Sequence, residues 1–303
     1  MITKTIFYLA ILLAPHLLFA QKSDKALQKK IELALAGFNG DVGIYVKNLK
    51  NGKMAAVNAD IIFPTASIVK VPIMIGVMDK IEKGELTYDQ ELIYKDSLLY
   101  EGEDILGSFK EGEKIRLNKV MMLMLTMSDN TASLWLQSLA GTGIEINKKM
   151  EELGMKSTRV NSRTPNRESD WRKYGWGQTT PREMATLLEM ILNNQVISPA
   201  ASTRMARNLG RNFWDDVALS EIPPYEKVLS KNGAVNASRS EVLLVTGKES
   251  QYVYCITTKN IKDESWEYNN EAWVLQRNIA MILWKHFEPK SKWTKPAGGE
   301  KFN

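Results

Sequence analysis

The chain has 303 residues, 44% of them hydrophobic, and a formal net charge of +5, which is enough apolar sequence for a full globular core. The positively charged residues form no basic block, so nucleic-acid binding is not expected. No segment after residue 20 is apolar enough to cross a membrane. With only Cys255, His16 and His286, a zinc site built on Cys and His is excluded, and we expect no metal and no cofactor.

The first 20 residues show the pattern of a secretory signal peptide. After Lys4, an apolar run extends from Ile6 to Ala20 and a charged stretch follows. We expect cleavage after Ala20 and a periplasmic or secreted mature protein that does not stay in the membrane. The alternative is an N-terminal membrane anchor, although the run is shorter than the roughly 20 residues that a spanning helix needs.

Hydrophobic spacing predicts strands at both ends of the chain and helices between them. A helical pattern at 23–37 is followed by two strand-like runs around Asn51-Gly52, a dipeptide typical of hairpin turns. From 67 to about 194 the pattern is mostly helical, and one helix begins at Pro181 with Thr180 as its expected N-cap. A loop-rich stretch then leads to three strands, "KVLSKNG", "SEVLLVTG" and "QYVYCITT", and to a final amphipathic helix.

This order predicts an α/β plus all-α fold, in which an antiparallel sheet is flanked by N- and C-terminal helices and a helical domain is inserted. We place the discontinuous α/β domain at 21–62 and 215–288, the helical domain at 63–214 and a C-terminal tail at 289–303. A cleft between two such domains is a common ligand site.

Ser67 and Lys70 form the first of three motifs that bear on chemistry. A serine hydroxyl needs a nearby base, and residues three apart on a helix share a face, so Lys70 can reach Ser67. Ser67 would also lie at a helix start, where free backbone N–H groups favour negative charge. Because His286 lies near the end of the chain, the base of an activated serine is not expected to be histidine. Alone, S-x-x-K is a weak signal that recurs by chance.

The second motif is the SDN sequence at 128–130, and the third is the KNG sequence at 231–233. Taken singly, the SDN sequence is explained as a helix cap between two apolar helices, and the KNG sequence as a turn at a strand end. In the order S-x-x-K, S-D-N, K-x-G, however, the three resemble the signature of penicillin-binding proteins and class A β-lactamases. The resemblance covers about residues 24–288, and the order of elements follows that family.

The resemblance implies a role for each matching residue. Ser67 is the expected acyl-forming nucleophile, Lys70 its proton acceptor, and Ser128 the group that passes the proton to the leaving nitrogen. Lys70 can act as a base only if its pKa is lowered, which desolvation and the second cation of Lys231 both favour. Asn130 is expected to hold the side-chain amide of the substrate.

The K-x-G strand supplies the rest of the expected binding site. Lys231 and Asn232 would bind the substrate carboxylate, and the N–H groups of Ser67 and of Ala234, which follows Gly233, would form the oxyanion hole. Arg239 resembles the supporting arginine of the family, and its alternative is an exposed charge at a strand edge. Asn232 departs from the usual Thr or Ser, but an amide can still donate to a carboxylate.

The larger departure lies in the loop that carries the deacylating glutamate of class A enzymes, R-x-E-x-x-L-N, because no such string exists here. Glu168 is the only glutamate between Leu153 and Glu183, so it is the candidate for activating water, with Asp170 as a second carboxylate. The alternative is that Glu168 is a solvated loop charge paired with Arg167. Without a positioned base, acylation would proceed and hydrolysis would stall.

Three functions follow from these residues. The leading expectation is a monomeric serine β-lactamase that acts on β-lactams through an acyl-enzyme. The second is a peptidase or esterase that resembles penicillin-binding proteins and acts on D-alanyl or small ester substrates. The third is a binding or sensor protein that is acylated once or not at all. The intact Ser67, Lys70, Ser128 and Lys231 argue against the version that does not react.

Overall fold

The computed structural model describes residues 22–101 and 104–298, so the expected signal peptide at 1–20 lies outside the described residues. Within these ranges the helices are α1 (Lys25–Leu35), α2 (Lys70–Glu82), α3 (Leu117–Met122), α4 (Asn130–Leu139), α5 (Thr142–Glu152), α6 (Glu168–Tyr174), α7 (Pro181–Leu192), α8 (Pro199–Leu209) and α9 (Glu271–Phe287). The strands are β1 (Asp41–Asn48), β2 (Met54–Val57), β3 (Phe63–Pro64), β4 (Glu91–Ile93), β5 (Lys114–Arg116), β6 (Arg159–Val160), β7 (Gly177–Thr179), β8 (Lys227–Val235), β9 (Ser238–Thr246) and β10 (Gln251–Lys259). No helix in these ranges is long and apolar enough to span a membrane.

The largest sheet of the described chain joins its two ends. Its strand order is β2-β1-β10-β9-β8, and every pairing is antiparallel. The first hairpin turns at Gly52, which has a φ of 72°, a conformation that glycine adopts without a steric cost. The early hairpin therefore pairs with the late strands, as the sequence predicts.

The two faces of this sheet pack against different helices. On one face, α1 and α9 bury side chains such as Leu27, Ile279 and Leu283 against β1, β9 and β10. On the other face, Val242 and Leu244 of β9 belong to the core that also contains the side chains of α2 and α7. Every residue from Lys70 to Met78 is buried, so α2 is the central helix of the inserted region. The division into two domains stays a prediction.

Two parts of the chain differ from the pattern that the sequence predicts. The stretch after 194 contains α8, which the loop interpretation misses although Ser198 caps it and Pro199 occupies its first position. The helix at 117 does not stay regular either, since residues Leu123–Met127 form a π-turn that ends at Ser128. Such turns are frequent at functional sites.

Thr180 provides a test of the local fold. Its hydroxyl accepts from the N–H of Glu183 at 3.2 Å, which caps α7 as expected. We expect Thr180→Val to lower the free energy of unfolding by about 1 kcal/mol, because a methyl group replaces the capping hydroxyl while the size of the side chain is kept. Thr180→Ser, which keeps the oxygen, is the control in urea unfolding. Equal losses in both variants would contradict the capping role.

Candidate active site

Ser67 lies in a short 3-10 turn, Ala66–Val69, that leads directly into α2 at Lys70. The turn begins with a strained residue, because Ala66 has a φ of 45°, a region that non-glycine residues seldom adopt. The loop is fixed by Ser240 of β9, whose hydroxyl donates to the carbonyl of Thr65 at 2.7 Å. The sheet thus determines where the Ser67 side chain lies.

The Lys70 amine is at the centre of the site. Its Nζ lies 3.0 Å from Ser67 Oγ and 3.0 Å from Ser128 Oγ, and it donates to Asn130 Oδ1 at 2.8 Å. It also donates to the carbonyl oxygen of Ser128. The structure therefore brings the first two motifs together around one amine, although they are 58 residues apart.

Burial gives this amine the properties of a base. The Lys70 side chain is 0% exposed, and desolvation lowers its pKa from 10.5 to about 7, against the opposing effect of the Asp104 and Asp129 charges. At neutral pH about half of such amines are deprotonated and able to accept a proton. Desolvation by burial is the largest cause of this lowered pKa.

The SDN segment combines a left-handed backbone conformation at Ser128 with a helix cap at Asp129. Ser128 has a φ of 60° and lies between the π-turn and α4. Asp129 caps α4 by accepting from the N–H of Ala132 at 2.7 Å, and it also accepts from Leu106 at 2.9 Å. Asp129 is therefore a helix cap, and the residues on either side of it, Ser128 and Asn130, contact the Lys70 amine.

Asp104 is a residue of the site that the sequence did not indicate. Its carboxylate accepts from the N–H groups of Asn130 at 2.9 Å and Thr131 at 2.7 Å, and its charge raises the pKa of Lys70. It comes from a loop 26 residues before Asn130, and no short motif connects the two. Only the tertiary structure identifies it.

Lys231 is as deeply buried as Lys70. Its Nζ donates to the carbonyl oxygen of Asn232 at 2.8 Å and to Asn232 Oδ1 at 3.1 Å. Burial, and then the nearby charge of Lys70, lowers the pKa of Lys231 well below its usual value. A substrate carboxylate would reverse this effect by pairing with the amine. Because the Asn232 oxygen faces Lys231, its NH₂ group is left to donate to an anion.

Gly233 allows β8 to lie against the turn at Ala66–Val69 that carries Ser67, here called the nucleophile turn. A Cβ at this position would lie 2.5 Å from the Ser67 nitrogen and 3.0 Å from the carbonyl oxygen of Thr65. Only glycine permits so close an approach of two backbones. Ser67 and Ala234 both line the same cavity, which is consistent with the expected oxyanion hole.

Glu241 is a second residue that the sequence reading missed. It lies opposite Asn232 in the ladder of β8 and β9 and is 0% exposed. Burial raises its pKa to about 8, although it accepts from the N–H of Ala218 and interacts with the Lys231 charge. A glutamate in the apolar run "SEVLLV" was the available signal.

Arg239 does not lie where the resemblance or its alternative places it. It is not an exposed strand-edge charge, because its side chain is 0% exposed. Its guanidinium donates to the carbonyls of Ser238 at 3.1 Å and Ser265 at 2.9 Å and lies 4.7 Å from the ring centroids of Trp266 and Trp273. Both terminal nitrogens of Arg239 are thus bound to backbone carbonyls, and Arg239 is not among the residues that line the cavity beside Ser67.

Glu168 is likewise not brought to the cavity. It is the first residue of α6, and its side chain is exposed. Arg167 pairs with Asp170 at 2.9 Å instead, and donates to Asn161 and Gln178. The proposed pair of Glu168 and Arg167 is therefore wrong, and neither carboxylate lines the cavity. The role of Glu168 in deacylation stays a prediction that its position does not favour.

The cavity beside Ser67 has a volume of about 490 Å³. Its lining combines Ser67 and Asn130 with residues from α6, from the loop between β4 and β5, and from the ends of β8 and β10. The remaining histidine takes no part, since His286 lies 3.0 Å from Asp24 in a contact of α9 with α1. The basic side chain within hydrogen-bond distance of Ser67 Oγ is that of the buried Lys70.

A family model described as the β-lactamase enzyme family matches residues 25–287. The chain belongs to the β-lactamase enzyme family. Among curated proteins, β-lactamase VEB-1 of Pseudomonas aeruginosa is 22% identical over 94% of this chain and 98% of its own. β-Lactamase CARB-3 of the same organism is 21% identical over 79% and 84%.

Solved structures of β-lactamases and of a penicillin-binding-type protein share the fold. PBP-A is 24% identical with a TM-score of 0.78, and the match covers 89% of this chain and 98% of PBP-A. A β-lactamase from Chitinophaga pinensis is 22% identical, with a TM-score of 0.78 over 86% and 99%. These matches confirm the predicted fold class of a β-lactamase.

The pKa of Lys70 predicts how this β-lactamase family member responds to pH. Because only the deprotonated amine accepts the Ser67 proton, we expect the second-order rate constant for acylation by benzylpenicillin to rise about tenfold between pH 6 and pH 8. The measurement is formation of the covalent adduct by intact mass, since acylation at low substrate concentration reports the free enzyme. A flat profile over this range would contradict a pKa of about 7 for Lys70.

Gly233→Ala tests the contact between β8 and the nucleophile turn. The added methyl would push β8 from Ser67, so we expect acylation at least about tenfold slower and a loss of about 1–3 kcal/mol in the free energy of unfolding. Gly210→Ala is the control, because a Cβ there would meet nothing closer than 3.4 Å. Normal acylation by Gly233→Ala would show that this close approach is not needed.

Proposed function

We propose that the protein is a serine β-lactamase of class A type, which opens the β-lactam amide through an acyl-enzyme on Ser67. The observation that carries the proposal is the position of the buried Lys70 amine, 3.0 Å from both Ser67 Oγ and Ser128 Oγ. This arrangement joins the nucleophile, its base and a path for the proton to a leaving nitrogen.

In the acylation step, neutral Lys70 accepts the proton of Ser67 while Oγ forms a bond to the β-lactam carbonyl carbon. The ring C–N bond then breaks, and the nitrogen takes a proton from Ser128, which regains one from Lys70. The net result is an ester on Ser67 and a new N–H on the opened ring. Water next adds to the ester, releases the carboxylic acid and restores the Ser67 hydroxyl.

Binding groups surround the reacting carbon. The N–H groups of Ser67 and Ala234 would stabilise the oxyanion, an effect worth about 3 kcal/mol in acyl-transfer enzymes. Lys231 and Asn232 would bind the carboxylate of the substrate, and Asn130 its side-chain amide. We do not assign Arg239 to the carboxylate, because its guanidinium binds backbone carbonyls.

A second candidate function is favoured by the position of Glu168. Of the described residues, no aspartate or glutamate lines the cavity beside Ser67, and the Glu168 side chain is exposed. This supports a peptidase or esterase of penicillin-binding type that acts on D-alanyl or small ester substrates and releases β-lactams slowly. A leucine-to-glutamate mutant of PBP-A, 25% identical to this chain, has been solved as an acyl-enzyme complex with penicillin G.

The site of action is part of the proposal. The apolar run that ends at Ala20 supports export, so we place the mature protein in the periplasm or outside the cell. The family resemblance leads us to propose a monomer. Its substrates are small molecules that occur there, whether β-lactams or D-alanyl compounds.

One experiment decides among the functions. The mature protein and Ser67→Ala are incubated with benzylpenicillin and a cephalosporin, and intact mass and ring opening are followed over time. Turnover without a lasting adduct supports the β-lactamase, whereas an adduct that persists supports the penicillin-binding type. Absence of any Ser67-dependent adduct or turnover would overturn both and leave a protein that no longer reacts.

Glu168→Gln tests deacylation separately. Because the Glu168 side chain is exposed and outside the cavity, we expect the variant to lose the acyl group within about twofold of the normal rate. Decay of the adduct is measured by mass after excess penicillin is removed, with Asp170→Asn treated in parallel. An adduct that accumulates only in Glu168→Gln would identify Glu168 as the deacylating base.

A further inference from the structure

The outer part of the cavity beside Ser67 is positively charged. Besides the catalytic segment, its lining contains Lys173 of α6 and Lys259 at the end of β10. Among the described lining residues there is no aspartate or glutamate. Neither lysine belongs to the S-x-x-K, S-D-N or K-x-G motifs, so the chemistry of acyl transfer leaves their positions unexplained.

Lys259 is part of the cavity lining, and no acidic side chain among the described residues pairs with it. Its Nζ donates to the carbonyl of Ile62 at 3.1 Å and lies 4.7 Å from the ring centroid of Phe63. The carboxylate opposite it in the ladder belongs to Asp41, which accepts from the Asn260 side chain at 2.7 Å. Asp41 therefore makes no ion pair with Lys259, although the two residues face each other across the ladder.

Lys173 approaches from α6. Its Nζ lies 5.0 Å from the ring centroid of Tyr174, which also lines the cavity. Asp170, an acidic residue in the first turn of the same helix, is paired with Arg167. The positive charge of Lys173 therefore adds to that of Lys259 in one cavity.

Aromatic rings form another part of the lining. Tyr100 and Trp176 meet edge to face with their ring centroids 5.0 Å apart. With Tyr174 they give the cavity a surface that suits an aromatic ring of a ligand. Aromatic surface next to two cations describes a subsite for a group that combines an aromatic ring with negative charge.

We propose that this subsite makes the enzyme prefer acyl donors whose amide side chain carries both an aromatic ring and an anionic group. The preference rests on the proposed acylation of Ser67, because the side chain enters the outer cavity only when the carbonyl lies at the nucleophile. Lys173 and Lys259 act on specificity, and they take no part in the bond changes. The same chemistry describes β-lactams with an anionic side chain and peptide-like substrates with a side-chain carboxylate.

Three penicillins that differ in one substituent test the proposal. Benzylpenicillin is neutral at the side-chain α-carbon, α-carboxybenzylpenicillin carries an added carboxylate there, and α-aminobenzylpenicillin carries an added amine. We expect the second-order rate constant for acylation at low ionic strength to fall in the order carboxy, unsubstituted, amino, with about tenfold between the first and the last. Added salt should reduce this ratio.

Variants assign the preference to the two lysines. In Lys173→Met/Lys259→Met the ratio of the carboxy to the amino compound should fall to about 1, and Lys259→Arg, which keeps the charge, should retain the preference. Lys29→Met/Lys30→Met is the matched control, because it also removes two positive charges, from exposed positions of α1 outside the cavity lining, and should leave the ratio unchanged.

The outcomes separate this proposal from the proposed function. If benzylpenicillin acylates Ser67 but the three rate constants are equal, the acyl-enzyme stands and the charged subsite is wrong. If Lys29→Met/Lys30→Met lowers the ratio as much as Lys173→Met/Lys259→Met, the preference comes from the net charge of the protein and the subsite is again wrong. If none of the three acylates Ser67, the proposed function and this inference both fail.

Discussion

The Lys70 amine lies buried between three segments of the chain, and its contacts with Ser67, Ser128 and Asn130 join the start of α2 to the start of α4. Burying a cation is costly, so the site favours the neutral amine and thereby a base at neutral pH. Asp104 and Asp129 act in the opposite direction, since their charges stabilise the protonated form that exists after Ser67 has given up its proton. With a pKa of about 7, the Lys70 amine can be either neutral or protonated near neutral pH.

The rest of the fold serves to hold this amine and its partners in place. Helix α2 is buried along its first two turns, so Lys70 cannot turn toward solvent. The five-stranded sheet fixes the other side, because Gly233 touches the Ser67 backbone and Ser240 binds Thr65. Strain at Ala66 and Ser128 is tolerated because packing on both sides determines their conformation. Lys231, a buried residue of β8, places a second amine close enough to Lys70 for the two charges to interact.

Much of this could be predicted from sequence, because the relevant signals are local. The Asn51-Gly52 hairpin, the Thr180 cap and the three late strands each follow from a few neighbouring residues, and the motifs identified Ser67, Lys70 and Ser128 as partners. The positions that failed depend on distant parts of the chain. Asp104 reaches Asn130 from a loop, the Arg239 guanidinium is held by carbonyls and by the rings of Trp266 and Trp273, and Glu168 begins a helix that faces solvent. No local pattern contains those contacts.

The neutral, buried Lys70 is the claim on which the account depends, and its titration can be observed directly. The protein is labelled with ¹³C at lysine Cε, the Lys70 signal is assigned with Lys70→Arg, and its chemical shift is followed from pH 5 to pH 11. We expect a midpoint of about 7 for Lys70, whereas the usual value for a lysine side chain in water is about 10.4. A midpoint for Lys70 close to that usual value would contradict the account, because the amine beside Ser67 would then be a cation at neutral pH.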